Sequence, residues 1–169
     1  MPISRVQDIM KNCKLHLSAP ALWVGIGCQK TTSRQLIEKA IEKIWREFQL
    51  DDQAIAGFAT LESKASEIAL VELCRLHNLP LRTFSREILN TVLVPNPAPI
   101  VEQKVGTSSV AEAAAILAAS PAVRLLVPKQ IFRLPEQLGT VTVAVAQSTQ
   151  LQGSAGRLVE VYGVFSTIK

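Results

Sequence analysis

Histidine is almost missing from this chain, cysteine occurs three times in 169 residues, and aromatic side chains make up only 5% of it. Cys13, Cys28 and Cys74 are too few and too scattered for a disulfide framework. No C-x-x-C pair or Cys/His ligand spacing occurs, so neither a metal site nor a cofactor is expected. Free thiols suit a reducing cytoplasm. No aromatic residues are interleaved among the lysines and arginines to stack bases, so the net charge of +4 is not read as a nucleic-acid surface. A small polyanionic ligand needs only a few local cations and fits that charge better. Long apolar runs are also lacking. The longest, Ala21–Ile26 and Thr140–Ala146, fall well short of the roughly 20 residues that span a bilayer. Arg5, Asp8, Lys11 and Lys14 break up the first segment, so no secretion signal is expected and a cytoplasmic protein is.

Strands and helices alternate along the sequence. Ala21–Gly27 is a continuous apolar run ending in glycines, as in a strand covered on both faces. From Ser33 to Phe48 apolar residues recur every three or four positions (Leu36, Ile37, Ala40, Ile41, Ile44, Trp45, Phe48), the stripe of an amphipathic helix. Ile55–Thr60 is a second strand. Ser66–His77 is a helix with Ile68, Ala69, Val71, Leu73, Cys74 and Leu76 mostly inward. Leu79–Phe84 is a strand, and Ser85–Asn90 a short helix capped by its serine. Three prolines in Val94–Pro99 make an extended connector. Val110–Ala119 is a helix of small residues, and Val123–Val127 and Thr140–Ala146 are further strands. This pattern predicts a single α/β domain over 21–147, a mainly parallel sheet of about five strands with helices on both faces. Residues 1–20 and 148–169 read as extensions, the latter with a candidate edge strand at Arg157–Phe165.

In such a sheet ligands bind beyond the carboxyl ends of the strands. Three loops there carry chemistry. Gly25–Ser33 holds two glycines, Cys28, Lys30 and Thr31, and ends in Thr32 and Gln35 at capping-box spacing. A helix start with free N–H groups and a lysine is an anion site in outline; the alternative is a tight turn with an ordinary cap. It is neither a Walker A loop nor G-x-G-x-x-G, since Gln29 and Lys30 stand where glycines belong. In Thr60–Glu67, Lys64 and Glu67 lie three apart at a helix start, either a ligand-facing pair or a surface ion pair. In Val105–Glu112, Gly106, Thr107, Ser108 and Ser109 precede a helix, with Ser109 and Glu112 at capping-box spacing. Lys129 follows the strand Val123–Val127 as a further cation. Cys28 lies where a helix start lowers a thiol pKa, against the reading of a small structural thiol. No nucleophile elbow occurs, and His16 and His77 fall outside these loops.

Taken in order, Gly25–Thr31 (GIGCQKT), Lys64–Glu67 (KASE), Val94–Pro97, Val105–Leu117 (VGTSSVAEAAAIL), Leu126–Lys129 and Val141–Ala146 resemble one family. It is the C-terminal domain of the cobalamin biosynthesis protein CbiG, found as a stand-alone protein in CobE. The resemblance covers about Ala21 to Ala146. It implies a role in building the corrin ring, with a precorrin or cobalt-precorrin intermediate as ligand and another corrin-pathway enzyme as partner. Full-length members act as cobalt-precorrin-5A hydrolase, opening the ring-A lactone and releasing acetaldehyde. Their N-terminal domain is not expected here, where about 20 residues precede the first strand.

Such a ligand is a flat apolar macrocycle edged with carboxylates. The resemblance therefore makes Lys30, Lys64 and Lys129 carboxylate contacts. Gly25, Gly27 and Gly106 allow close backbone approach, and Cys28, Thr31, Thr107, Ser108 and Ser109 line the same loops. Ile26 or Leu61 would face the ring. Glu67, oriented by Lys64, is the acid–base candidate if chemistry occurs, or else it holds Lys64 in place. The alternative function is a non-catalytic module docking onto another corrin-pathway enzyme. A generic phosphate- or nucleotide-binding domain is argued against by the missing P-loop glycine.

Overall fold

The computed structural model describes residues 21–94 and 109–149. In chain order the elements are β1 (Leu22–Cys28), α1 (Arg34–Phe48), β2 (Ile55–Leu61), α2 (Ile68–His77), β3 (Leu81–Phe84), α3 (Arg86–Asn90), α4 (Val110–Ala119), β4 (Val123–Phe132) and β5 (Val141–Ser148). They build one five-stranded sheet in the order β3-β2-β1-β5-β4. The ladders β3–β2 and β2–β1 are parallel, while β1–β5 and β5–β4 are antiparallel. Four strands therefore run in one direction and β5 alone runs against them. This is the α/β sheet expected from the alternation, with β5 inserted where a short return from β4 forces a reversal.

Strand β1 shows why both faces are covered. Leu22, Val24 and Ile26 point to one side and join a core with Leu36, Ile37, Ala40, Ile44 and Trp45 of α1, Leu70 and Leu73 of α2, and Phe58, Val141, Val143 and Val145 of the neighbouring strands. Trp23 points to the other side, where Ala113, Ala114, Ala115, Ala118 and Ala119 of α4 pack with Ala59, Ala146 and Leu89. The period of two in the strand matches the period of 3.6 in each helix. Alanine on α4 and glycine or alanine on the sheet bring their backbones close together. A Cβ on Gly25 would overlap the Ala111 carbonyl and stand 2.9 Å from the Ala115 nitrogen.

The element ends have local causes. Ser33 caps α1 by accepting the Leu36 N–H at 3.2 Å. Helices α1 and α2 close on Gln49 and Asn78, both in the left-handed region at φ 51°, a common helix exit that returns an N–H to the last turn. Arg82 lies over the Trp23 ring at 4.1 Å and donates to the Ala118 carbonyl at 2.7 Å, covering the end of α4.

Several expectations are corrected. The α1 cap is Ser33, because Thr32 is turned inward against Thr140, with its hydroxyl 3.5 Å from that carbonyl. Helix α2 begins at Ile68, because Glu62–Lys64 forms a separate 3₁₀ turn. Ile68 and Leu76 point outward, 73% and 60% exposed, and only Leu70 and Leu73 of α2 are fully buried. Phe48 at the end of the α1 stripe is exposed as well. Strand β4 continues to Phe132, so Lys129 lies inside it rather than after it. The connector from Pro95 onward, both extensions up to Pro20 and from Gln150, and the candidate strand Arg157–Phe165 lie outside the described residues.

Candidate functional site

Strands β1, β2, β3 and β4 all deliver their carboxyl ends to the same edge, at Cys28, Leu61, Phe84 and Phe132. The β1–α1 loop leaves that edge with Lys30 and Thr31 exposed on a turn closed by the Thr32 N–H and the Gln29 carbonyl at 3.1 Å. Thr32 is pinned below it by Gly139, whose φ of 101° only glycine adopts readily and whose missing Cβ would stand 2.6 Å from the Thr32 hydroxyl oxygen. The loop is thus anchored on its inner side, and its cation faces solvent.

Lys64 and Glu67 meet beyond β2. Lys64 Nζ lies 3.5 Å from Glu67 Oε1, and the two side chains are 19% and 23% exposed. The 3₁₀ turn causes this meeting: the Ala65 N–H bonds to Glu62 and the Glu67 N–H to Lys64, which folds the pair together before α2 starts. Glu67 occupies the cap position of α2, yet its side chain makes no cap bond and turns to Lys64 instead. Cys28 is within electrostatic reach of both. Burial pushes its thiol above the ordinary value, the Lys64 charge opposes that rise, and the Glu67 charge adds to it. A neutral thiol beside an ammonium–carboxylate pair is a weak nucleophile.

A second cluster surrounds the first turn of α4. Val110 packs beside Gly27, and Thr142 donates from its hydroxyl to the Gly27 carbonyl at 3.3 Å. Ser109 is buried and its Oγ accepts the Glu112 N–H at 3.5 Å, the cap expected from spacing. Glu112 is 0% exposed, and its Oε1 accepts the Lys129 backbone N–H at 2.8 Å. That amide is available because β4 bulges: Val127 pairs with Val145 and Gln130 with Val143, so Pro128 and Lys129 together oppose Ala144. Proline has no amide to give the ladder and sits well at a bulge on this edge strand.

Of the sequence candidates, Cys28, Lys64 and Glu67 come together, Gly27 and Ser109 form a second group, and Lys30 and Thr31 stand on the loop between helix and sheet. Gly25 serves the packing of α4 instead of a ligand approach, and Ile26 is fully buried beneath α1 and α2 and cannot face a ring. Lys129 is tied to the second group through its backbone, about 10 Å back from the carboxyl edge by its place in the strand. Gly106, Thr107 and Ser108 lie outside the described residues. Sequence reasoning took Glu112 as a capping residue only. The missed signal was a lone charge in the first turn of Val110–Ala119, where every other residue is apolar. Among the described residues no group of three or more His, Cys, Asp or Glu is placed to hold a metal ion, and no helix is long and apolar enough to cross a membrane.

The class is set by the topology: an α/β domain covered on both faces, with four strands ending on one edge where its loops carry lysines, hydroxyls and a capped helix start. Residues 22–146 match the family described as Cobalamin synthesis G C-terminus. The chain belongs to that family, and it is related to cobalt-precorrin-5A hydrolase. The "Cobalt-precorrin-5A hydrolase" of Priestia megaterium is 30% identical over 140 residues, which is 83% of this chain and 35% of that protein. The chain thus spans about a third of that relative's length. Among solved structures, CobE, a protein from the cobalamin (vitamin B12) biosynthetic pathway, superposes with a TM-score of 0.65 at 25% identity, covering 78% of this chain and 96% of CobE. The cobalamin biosynthesis protein chiG from Agrobacterium tumefaciens str. C58 gives 0.56 at 28% identity, over 76% of this chain and 99% of that one. A cobalamin biosynthesis protein G homolog from Sulfolobus solfataricus shares the fold at a TM-score of 0.58 and 23% identity, over 76% of this chain and 37% of that one.

Proposed function

We propose that this domain binds a corrin intermediate, a precorrin or cobalt-precorrin, across the carboxyl edge of its sheet. The observation that carries the reading is the gathering at that edge of Lys30, Lys64 and the capped start of α4 in a chain of the cobalamin family. Acetate and propionate groups on the ligand would take charge-assisted hydrogen bonds from the two lysines and from backbone amides at the helix start. The ion pair with Glu67 holds Lys64 ready, and a ligand carboxylate takes Glu67's place or shares the ammonium with it. In the finer form of the reading, the domain contributes to opening the lactone of cobalt-precorrin-5A with release of acetaldehyde. Glu67 then carries the proton and Lys64 orients it. The portion of the hydrolase beyond this domain supplies the remainder of that activity.

Titration with hydrogenobyrinic acid, a cobalt-free corrin polycarboxylate, tests the reading. The visible spectrum of the pigment is expected to shift on binding. Lys64→Ala is expected to weaken binding about tenfold, the loss of one charge-assisted contact, while costing the fold less than about 1 kcal/mol. No shift with folded protein at high concentration would overturn the reading and favour the second one, a docking module without a ligand pocket. The observation on that side is the outward stance of Ile68 and Leu76 on α2.

A further inference from the structure

A helix built almost wholly of alanine and aliphatic residues places one carboxylate where no solvent reaches it. Glu112 sits in the first turn of α4 at 0% exposure, between the helix and β4. A buried carboxylate is retained only where its partners compensate the loss of water. One partner is the Lys129 N–H at 2.8 Å, a donor that the bulge has released from the β4–β5 ladder. Bulges recur where a strand must redirect a side chain. Here the bulged residue is a lysine, half-buried, whose ammonium has no carboxylate within ion-pair distance among the described residues. The same first turn of α4 lies against Gly27 at the end of β1. The carboxylate thus ties the bulge on β4 to the helix start on β1, across β5.

We infer that Glu112 is a positioning residue: by accepting the Lys129 N–H it locks the Pro128–Lys129 bulge against the first turn of α4 and so fixes the backbone from which the Lys129 side chain, set back from the carboxyl edge, extends to a carboxylate arm of the ligand that overhangs that edge. This rests on the corrin-binding reading and adds to it a residue that touches no ligand and a cation fixed through its backbone. Glutamine at position 112 keeps an oxygen at the same reach. Leucine fills the same space and keeps none.

The test is a titration of hydrogenobyrinic acid against wild type, Glu112→Gln, Glu112→Leu, Lys129→Ala and the double variant Glu112→Leu/Lys129→Ala, at several salt concentrations, with folding checked by circular dichroism. Lys129→Ala is expected to weaken binding about tenfold and to flatten the dependence of Kd on salt. Glu112→Leu should reproduce both changes, Glu112→Gln should stay within about threefold of wild type, and the double variant should bind no worse than either single one. Salt dependence reports the ammonium at the ligand and does not move when a fold is merely loosened. Unchanged affinity and salt dependence in Lys129→Ala overturns the inference, and this variant decides the matter even if Glu112→Leu fails to fold. Additive losses in the double variant overturn it too. A wild type that leaves the pigment's spectrum unchanged overturns the corrin reading and this inference together, whereas a binding wild type with either of the preceding results sinks this inference alone.

Discussion

Cys28 joins the two halves of the site's chemistry. Burial raises the pKa of its thiol, and its remaining electrostatics come from Lys64 and Glu67, of opposite sign. Alkylation by iodoacetamide reads the thiolate, so the pH midpoint for Cys28, followed by mass spectrometry, is expected above that of an exposed thiol. Lys64→Ala removes the charge that favours the thiolate and should move the midpoint further up. Glu67→Gln removes the charge that disfavours it and should move the midpoint down. Midpoints that ignore both substitutions would place the pair out of reach of the sulfur. The sign carries over to stability. A thiol whose pKa is raised in the folded state keeps its contribution below the unfolded value, and loses it as pH rises through the folded one. Burial raises Cys74 in the same way, so the domain should weaken in alkali and not at neutrality.

Among elements, the contact of α4 with β1 is the least forgiving. Gly25 leaves no room for a methyl group, since the backbone of Ala111 and Ala115 occupies its place. Backbone cannot rotate aside as a side chain can, so Gly25→Ala should cost about 3 kcal/mol, near the upper end for overpacking. The check is a lower urea midpoint with an unchanged m value. The elements themselves were legible because each rests on a local signal: the stripe Leu36 to Trp45, the continuous apolar run Ala21–Gly27, and the capping serines at positions 85 and 109, whereas capping-box spacing puts the α1 cap one residue early, at Thr32. Less of the site was. Lys64 and Glu67 could be paired from their spacing, since three residues apart is a local relation. Glu112 and Lys129 are seventeen residues apart, joined by a bulge that no periodicity announces. Gly25 illustrates the same limit from the other side. A glycine near the end of an apolar run looks open to a ligand until the helix that fills its space, more than eighty residues later, is set against it.

On the scale of the whole molecule, the direction of the strands decides where function can sit. Four parallel-running strands send the described loops that carry Lys30 and Lys64 to one edge, and the fifth, β5, brings Thr140 and Thr142 up to the same edge from the opposite direction. β5 is also the last of the described strands in sequence and lies inside the sheet, between β1 and β4. A fragment ending at Thr140 keeps every described helix and four of the five strands, yet is expected to show no cooperative unfolding transition and to sediment as aggregate, in contrast to the full chain. Monomeric fragment with a sharp transition would contradict this. The order of synthesis makes the point general. Until β5 clears the ribosome, the growing polypeptide carries two raw hydrogen-bonding margins, the kind of surface on which neighbouring chains stick. A premature stop or a proteolytic nick before Val141 therefore yields an adhesive remnant and not a smaller working copy, which makes the interval before β5 emerges the moment when this domain most needs protection.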